Sequence, residues 1–218
     1  MLHAIFALYY ERSDWFLELL AQHILLVGTS ILIAGILGLA VGILISENNR
    51  IAPFVIGVCN VIYTIPSISL LGMLIPFLGI GNTTAVTALC VYGIMPMVRN
   101  TYTGIKSIDP VIIEVARGMG STPRQILWRI KLPLAIRVIL AGLRNMTVML
   151  IAMGGIAAYI GAGGLGVAVF RGISIYNVAL TFAGSVLIAG LALISDLILS
   201  GIERRVTKKR RMDTQIKR

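Results

Sequence analysis

Three charged side chains lie within otherwise apolar stretches of this 218-residue chain: Arg99, Arg144 and Asp196. Long apolar stretches can lie in a membrane, and an ionised group held inside a membrane costs several kcal/mol unless it is paired or hydrated. We therefore predict that Asp196 pairs with Arg144 or with Arg99, as part of a gate or of a clasp between helices. The alternative is that each side chain reaches the lipid headgroups on its own.

Residue patterns typical of catalysis are missing from the sequence. His3 and His23 are the only histidines, and no HExxH, GxSxG or paired intramembrane aspartate is present. The glycine cluster at 161–166 superficially resembles a phosphate-binding loop, but no lysine follows it, and we interpret it as a tight external turn. Cys59 and Cys90 are predicted to be packing residues. We predict no catalytic residue, metal site or cofactor on this chain.

The composition is that of a membrane protein. The chain is 57% hydrophobic and only 13% charged, whereas about a quarter of the residues of a typical soluble domain are charged. A helix needs about 20 apolar residues to cross the hydrocarbon. We predict an all-α integral membrane protein, one domain over residues 1–218, with five spans at about 20–45, 52–77, 82–104, 137–160 and 176–200.

Lysine and arginine are distributed unevenly between the predicted loops. All of the 19 basic residues except Arg12 and Arg171 lie in or beside three regions, at 47–50, at 114–133 with its flanks, and in the tail at 203–218. By the positive-inside rule these regions are cytoplasmic, so the N-terminus is outside and the C-terminus inside. The tail is predicted to contact membrane lipid. Because no basic stretch is interleaved with aromatic residues, we expect no binding to nucleic acid.

The polar region at 109–133 separates the third predicted span from the fourth. Asp109 and Thr122 are both suited to cap a helix N-terminus, and each is followed by proline at the first helical position. Gln125, three residues after Thr122, adds a capping box. A Gly-Met-Gly stretch that ends at Gly120 breaks the helix between the two caps. We predict two short helices joined by a glycine turn.

The spacing within this region resembles the EAA signature of ABC importer permeases. The matching residues are Glu114, Ala116, Gly118, Gly120, Ile130, Leu132 and Pro133. Val115 is the one departure, because the family pattern has alanine there. The resemblance implies the type I importer fold, with a pair of cytoplasmic coupling helices that transmit closure of a nucleotide-bound ATPase dimer. It also implies that ATP and Mg bind to that separate ATPase and that this chain hydrolyses nothing.

A second resemblance covers nearly the whole chain and is to permeases of osmoprotectant importers for glycine betaine, carnitine and choline. Segments 63–67, 70–81 and 96–105 carry it. It implies a bacterial plasma-membrane importer of quaternary ammonium solutes, with a second permease, identical or homologous, and an extracytoplasmic substrate-binding protein. Methionine or another small amino acid is the alternative substrate. From a different class, the alternative is an ATP-independent channel or a membrane scaffold.

Two prolines lie inside predicted spans, Pro66 in the second and Pro96 in the third. Each removes a backbone hydrogen bond, and in a bilayer such a break survives only beside other helices or a watery cavity. We predict that these spans line the transport pathway, although each proline is also compatible with a simple packing kink. Four further residues are predicted to contact the solute: Asn60, Tyr63, Thr64 and Tyr92.

Overall fold

Long apolar runs give this chain its longest helices. The computed structural model describes the backbone of residues 2–216 and the side chains of residues 3–206, and this part of the chain is all-helical. The helices are α1 (Leu2–Glu11), α2 (Ser13–Ser46), α3 (Ile51–Thr64), α4 (Ser67–Leu78), α5 (Asn82–Lys106), α6 (Pro110–Gly118), α7 (Pro123–Ile126), α8 (Leu132–Ala157), α9 (Gly166–Ser174) and α10 (Val178–Ile216). A π-helical turn, Leu127–Lys131, joins α7 to α8, and a 3-10 turn, Ala158–Ile160, follows α8.

Three segments of the described chain are long and apolar enough to cross a membrane: Ser13–Ser46, Pro123–Ile160 and Val178–Val206. The predicted spans at 20–45, 137–160 and 176–200 fall within these segments, apart from the first two residues of the last. A fourth candidate is the pair formed by α3 and α4, if the two helices are counted as one broken span.

The second predicted span, 52–77, is not one straight helix. It is divided into α3 and α4, which are bent by 96° relative to each other. Pro66 lacks a backbone N–H and disfavours helical geometry at the residue before it, and Ile65 accordingly is extended, with φ −70° and ψ 126°. One residue of α3 and two of α4 are buried. The pair therefore lies on the outside of the helix cluster.

α5, which contains the third predicted span, lies at the centre of the molecule. It packs extensively against α2 and against α8, and α8 packs in turn against α10. Its sequence is less apolar than the sequences of α2 and α8, yet its polar side chains Thr84 and Thr101 are completely buried. Neighbouring helices enclose α5, so its side chains contact protein. The other long helices instead expose apolar side chains on the surface of the molecule. Composition alone therefore does not mark it as a membrane span.

A glycine of α2 allows the close approach of α5. A Cβ atom at Gly38 would lie 2.6 Å from the Cβ of Met97 and 2.9 Å from the carbonyl oxygen of Ile94, whereas a Cβ at Gly28 of the same helix would meet nothing within 4 Å. We expect Gly38→Ala to lower the thermal midpoint of the purified protein, because overpacking costs about 1–3 kcal/mol. Gly28→Ala, the matched control, should keep or raise the midpoint. Equal midpoints for the two variants would refute close packing of α2 on α5.

Two contacts bring the ends of three helices to one face of the molecule. Lys131, just before α8, forms an ion pair with Glu47 at the end of α2, with 2.6 Å between Nζ and Oε1. Lys106, at the end of α5, donates a 2.6 Å hydrogen bond to the side chain of Asn49. α10 runs toward the same face. The side chains of the predicted basic tail, 203–218, are described only to residue 206.

Candidate functional site

The region at 109–133 contains one short helix and the start of a long one. Oδ1 of Asp109 accepts a 2.9 Å hydrogen bond from the backbone N–H of Val111, and Thr122 forms a reciprocal capping box with Gln125. Both predicted caps are confirmed. The prediction of a second short helix is wrong, because the π-helical turn continues α7 directly into α8. This turn lies just before Pro133, which cannot donate a backbone hydrogen bond.

Gly120 makes the turn between α6 and α7. Its φ of +83° lies in the left-handed region, which glycine adopts at little cost. The N–H of Ser121 donates a 3.0 Å hydrogen bond back to the carbonyl of Ala116, whose side chain is buried. The other residues of the predicted signature differ in exposure: Glu114 and Gly118 are exposed, and Ile130, Leu132 and Pro133 are half-buried. Their role in coupling stays a prediction.

The outward face of α6 is apolar, a feature that the sequence-based predictions missed. Val111, Ile112, Val115 and Met119 are between 43% and 81% exposed, and we call these four residues the α6 patch. Three of them are spaced four residues apart, so they follow one side of the helix, and this spacing is visible in the sequence. Exposed apolar patches are typical of surfaces that interact with another protein or with a membrane.

Loss of the capping box should loosen the start of α7. We expect Thr122→Ala to cost about 1 kcal/mol of local stability and so to speed hydrogen exchange of the amides at 124–131 about fivefold. Thr122→Ser keeps the hydroxyl and serves as the control. Hydrogen–deuterium exchange measured by mass spectrometry checks this. Identical exchange in the alanine and serine variants would mean that the cap contributes nothing.

A cavity of about 490 Å³ opens between α3, α5 and α8. Four of the residues predicted to line the pathway border it, together with Arg99: Asn60, Tyr63, Thr64 and Pro96. Asn145 and Met149 of α8 also border it and were not among the predicted residues. Which side chains of α8 face the cavity depends on how α8 is rotated about its axis, and the sequence does not show this rotation. Pro66 and Tyr92 do not border this cavity.

Tyr92 fixes the break between α3 and α4 next to the cavity. Its hydroxyl donates a hydrogen bond to the carbonyl of Ile65, at the point where Pro66 interrupts the helix. Its ring also packs edge-on against Tyr63, with 5.8 Å between the ring centroids. Tyr92 and Pro66 therefore position the cavity wall.

Arg144 and Asp196 join α8 to α10. Nη2 of Arg144 donates a 2.7 Å hydrogen bond to Oδ2 of Asp196, and Nε donates a second to Oδ1, so the pair is bidentate. Glu203 lies farther along α10, 3.9 Å from Nη1 of Arg144. The two paired side chains are 35% and 28% exposed. Of the two partners predicted for Asp196, the structure brings Arg144 to it and places Arg99 in the cavity.

The glycine cluster at 161–166 forms a tight turn at the end of the molecule opposite α6. Gly161, Gly163 and Gly164 have φ angles of +75°, +74° and +77°. The backbone N–H of Gly164 donates a 3.1 Å hydrogen bond to the side chain of Gln22 on α2. The backbone of this turn therefore packs against α2. Among the described residues, no group of three or more His, Cys, Asp or Glu side chains could hold a metal ion.

Comparison with known proteins agrees with this geometry. Residues 31–208 match the family described as the inner membrane component of binding-protein-dependent transport systems, and the chain belongs to this family. The carnitine transport permease protein OpuCB of Listeria monocytogenes is 37% identical over 206 residues, which cover 94% of each chain. The glycine betaine/carnitine/choline transport system permease protein OpuCD of Bacillus subtilis (strain 168) is 38% identical over 200 residues, covering 91% of this chain and 87% of that protein.

A solved structure shares the same fold. The MetNI methionine ABC transporter in an inward-facing conformation matches with a TM-score of 0.83 and 25% identity, over 90% of this chain and 98% of that one. The predicted resemblance to ABC importer permeases is thus confirmed, and with it the all-helical type I importer fold. The chain is a membrane transport component and not an enzyme.

Proposed function

We propose that this chain is the permease subunit of an ATP-driven importer for quaternary ammonium osmoprotectants, namely glycine betaine, carnitine or choline. The substrate class is inferred from two permeases named for these solutes, to which this chain is 37% and 38% identical over nearly its full length. The observation that supports coupling to ATP is the exposed α6 patch on a capped helix.

In the proposed mechanism, α6 seats in a groove of a cytoplasmic ATPase dimer, and this ATPase binds and hydrolyses ATP-Mg. A cavity of about 280 Å³ separates α6 from the body of the permease and is bordered by Glu114, Lys106 and Lys131. Movement of α6 would reach α8 through the π-helical turn and α2 through the pair of Lys131 with Glu47. Closure of the ATPase dimer then turns the permease outward-open, and hydrolysis resets it.

The proposed topology has five spans: α2, the bent pair α3–α4, α5, α8 and α10. The N-terminus is outside and the C-terminus is cytoplasmic, in the plasma membrane. Support comes from the contacts of Lys131 with Glu47 and of Lys106 with Asn49, because they place basic regions on a common face. An odd number of spans is needed to bring the basic tail to that face as well.

The proposed assembly contains a second permease, identical or homologous, and an extracytoplasmic substrate-binding protein. The exposure of α3 and α4 supports a second permease, since one more chain would cover these helices and close the 490 Å³ cavity. The description of the family as binding-protein-dependent supports the other partner. That protein would dock at the end of the molecule that carries the glycine turn.

Uptake by proteoliposomes tests this function. The vesicles contain the permease with its ATPase, the binding protein is added outside, and uptake of labelled glycine betaine, carnitine, choline and methionine is measured. We expect ATP-dependent uptake of at least one quaternary ammonium solute, and none with an ATPase that cannot hydrolyse ATP. Uptake that persists without hydrolysis would instead favour the channel.

Import of methionine is the second candidate function. The likeness to the methionine transporter structure, with its TM-score of 0.83, favours it. The identity of 25% to that structure is lower than the identity to the osmoprotectant permeases. Uptake of methionine alone in the same vesicles would select this candidate.

A further inference from the structure

We propose that Arg99 and Asn145 form a carboxylate-binding site in the 490 Å³ cavity, and that this site favours zwitterionic solutes over the purely cationic choline. The inference rests on the proposed function. It names which of the proposed substrates the permease itself prefers, independently of the binding protein.

Arg99 brings an uncompensated positive charge to the cavity. Among the residues whose side chains are described, no carboxylate lies within 4 Å of its guanidinium, in contrast to Arg144, which has Asp196 and Glu203. The described residues that border the cavity include no aspartate or glutamate. Because arginine stays ionised under all ordinary conditions, the cavity has a fixed positive charge.

The neighbouring groups are hydrogen-bond donors without a partner in the described part of the chain. Asn145 on α8 and Asn60 on α3 border the cavity beside Arg99, and their amides form no hydrogen bond to any described residue. Asn100, by contrast, donates a 2.8 Å hydrogen bond to the carbonyl of Pro96. A guanidinium binds a carboxylate through two parallel hydrogen bonds, and an amide N–H of Asn145 can add a third.

An aromatic ring borders the same cavity. Tyr63, which is 45% exposed, borders the cavity and packs against the ring of Tyr92. A ring face attracts a trimethylammonium group through the cation–π interaction. Tyr92, the residue of α5 against which Tyr63 packs, is seven residues from Arg99. This spacing corresponds to about 10 Å along the helix. The cavity therefore has one region suited to a carboxylate and another suited to a quaternary ammonium group.

The chemistry of the solutes predicts a preference. Glycine betaine and carnitine carry both a carboxylate and a trimethylammonium group, whereas choline carries only the cation. Arg99 attracts the carboxylate of the first two and repels the unbalanced charge of the third. The volume of about 490 Å³ falls within the range of about 300–1,000 Å³ that is typical of small-molecule sites.

Equilibrium dialysis of labelled carnitine, glycine betaine and choline against the complete permease–ATPase complex in lipid nanodiscs, without the binding protein, tests the site. We expect the wild type to bind the two zwitterions about tenfold more tightly than choline. Arg99→Gln should remove this ratio by weakening the zwitterions and strengthening choline. Arg99→Lys keeps the charge but not the planar fork, and should retain part of the ratio.

Arg137→Gln is the matched control, because Arg137 is an exposed arginine of α8 that does not border the cavity. It should keep the wild-type ratio. Choline bound as tightly as carnitine by the wild type, or an unchanged ratio in Arg99→Gln, would overturn the proposal and leave Arg99 as a side chain that contacts lipid headgroups. Failure of the proposed function is a separate result, namely that the intact transporter takes up none of the three solutes.

Discussion

Replacing Met119 with glutamate is expected to reduce ATP-driven uptake more than tenfold while the permease stays folded in the membrane. Met119 is 81% exposed at the end of α6, so a charge there costs the isolated permease little. In a groove of the ATPase the same carboxylate would be buried without a partner, which costs about 2–5 kcal/mol in a protein interface. We therefore expect uptake to fall more than tenfold.

Uptake and ATP hydrolysis are measured in the same proteoliposomes. Met119→Leu keeps an apolar side chain of similar size and is the control, for which uptake should match the wild type. Val115→Glu changes another residue of the α6 patch, 57% exposed, and should reproduce the loss. The thermal midpoint of each purified variant separates loss of docking from loss of folding. Normal uptake by Met119→Glu would show that the α6 patch is not the docking surface.

Replacing Asp196 alone is expected to destabilise the permease more than replacing Asp196 and Arg144 together. Asp196→Leu leaves the guanidinium of Arg144 half-buried between α8 and α10, where Glu203, 3.9 Å away, is its one remaining carboxylate among the described side chains. A charge that has lost its bidentate partner between two helices is unfavourable, whereas an apolar pair of similar volume is often tolerated. The double variant Arg144→Met/Asp196→Leu should therefore recover part of the thermal midpoint and of the yield in the membrane.

The thermal midpoints of the two single variants and of the double variant form a mutant cycle that isolates the pairwise contribution. Strictly additive changes would mean that the two side chains do not interact. Uptake by Asp196→Asn tests the predicted role as a gate or clasp separately. If both folding and uptake were unchanged in Asp196→Asn, the pair would have neither role.

Features that depend only on residues a few positions away along the chain were predictable from the sequence. The caps at Asp109 and Thr122 need only residues two or three positions away, and both form as predicted. Gly120 likewise makes its turn because of its own backbone freedom. Pro66 indicates a weak point for the same local reason, but its effect on the direction of the chain, a bend of 96°, depends on how α4 packs against α5.

Features that depend on helix rotation and distant contacts were not predictable. A single sequence cannot decide whether Asp196 meets Arg144 or Arg99, because the answer depends on which face α8 and α5 turn toward α10. The pair of Lys131 with Glu47 joins residues 84 positions apart and has no local pattern. The continuation of α7 into α8 was missed because a π-helical turn has no distinctive residue pattern.

Photo-crosslinking of the assembled transporter tests the central claim, that α6 is the contact with the ATPase, most directly. The photoreactive residue p-benzoylphenylalanine is placed at Met119 in one variant and at Tyr176 in another. Tyr176 is 94% exposed, just before α10 and at the opposite end of the molecule. We predict a crosslink to the ATPase from position 119 and none from position 176. A crosslink to the ATPase from position 176 and not from position 119 would contradict both the coupling surface and the proposed orientation.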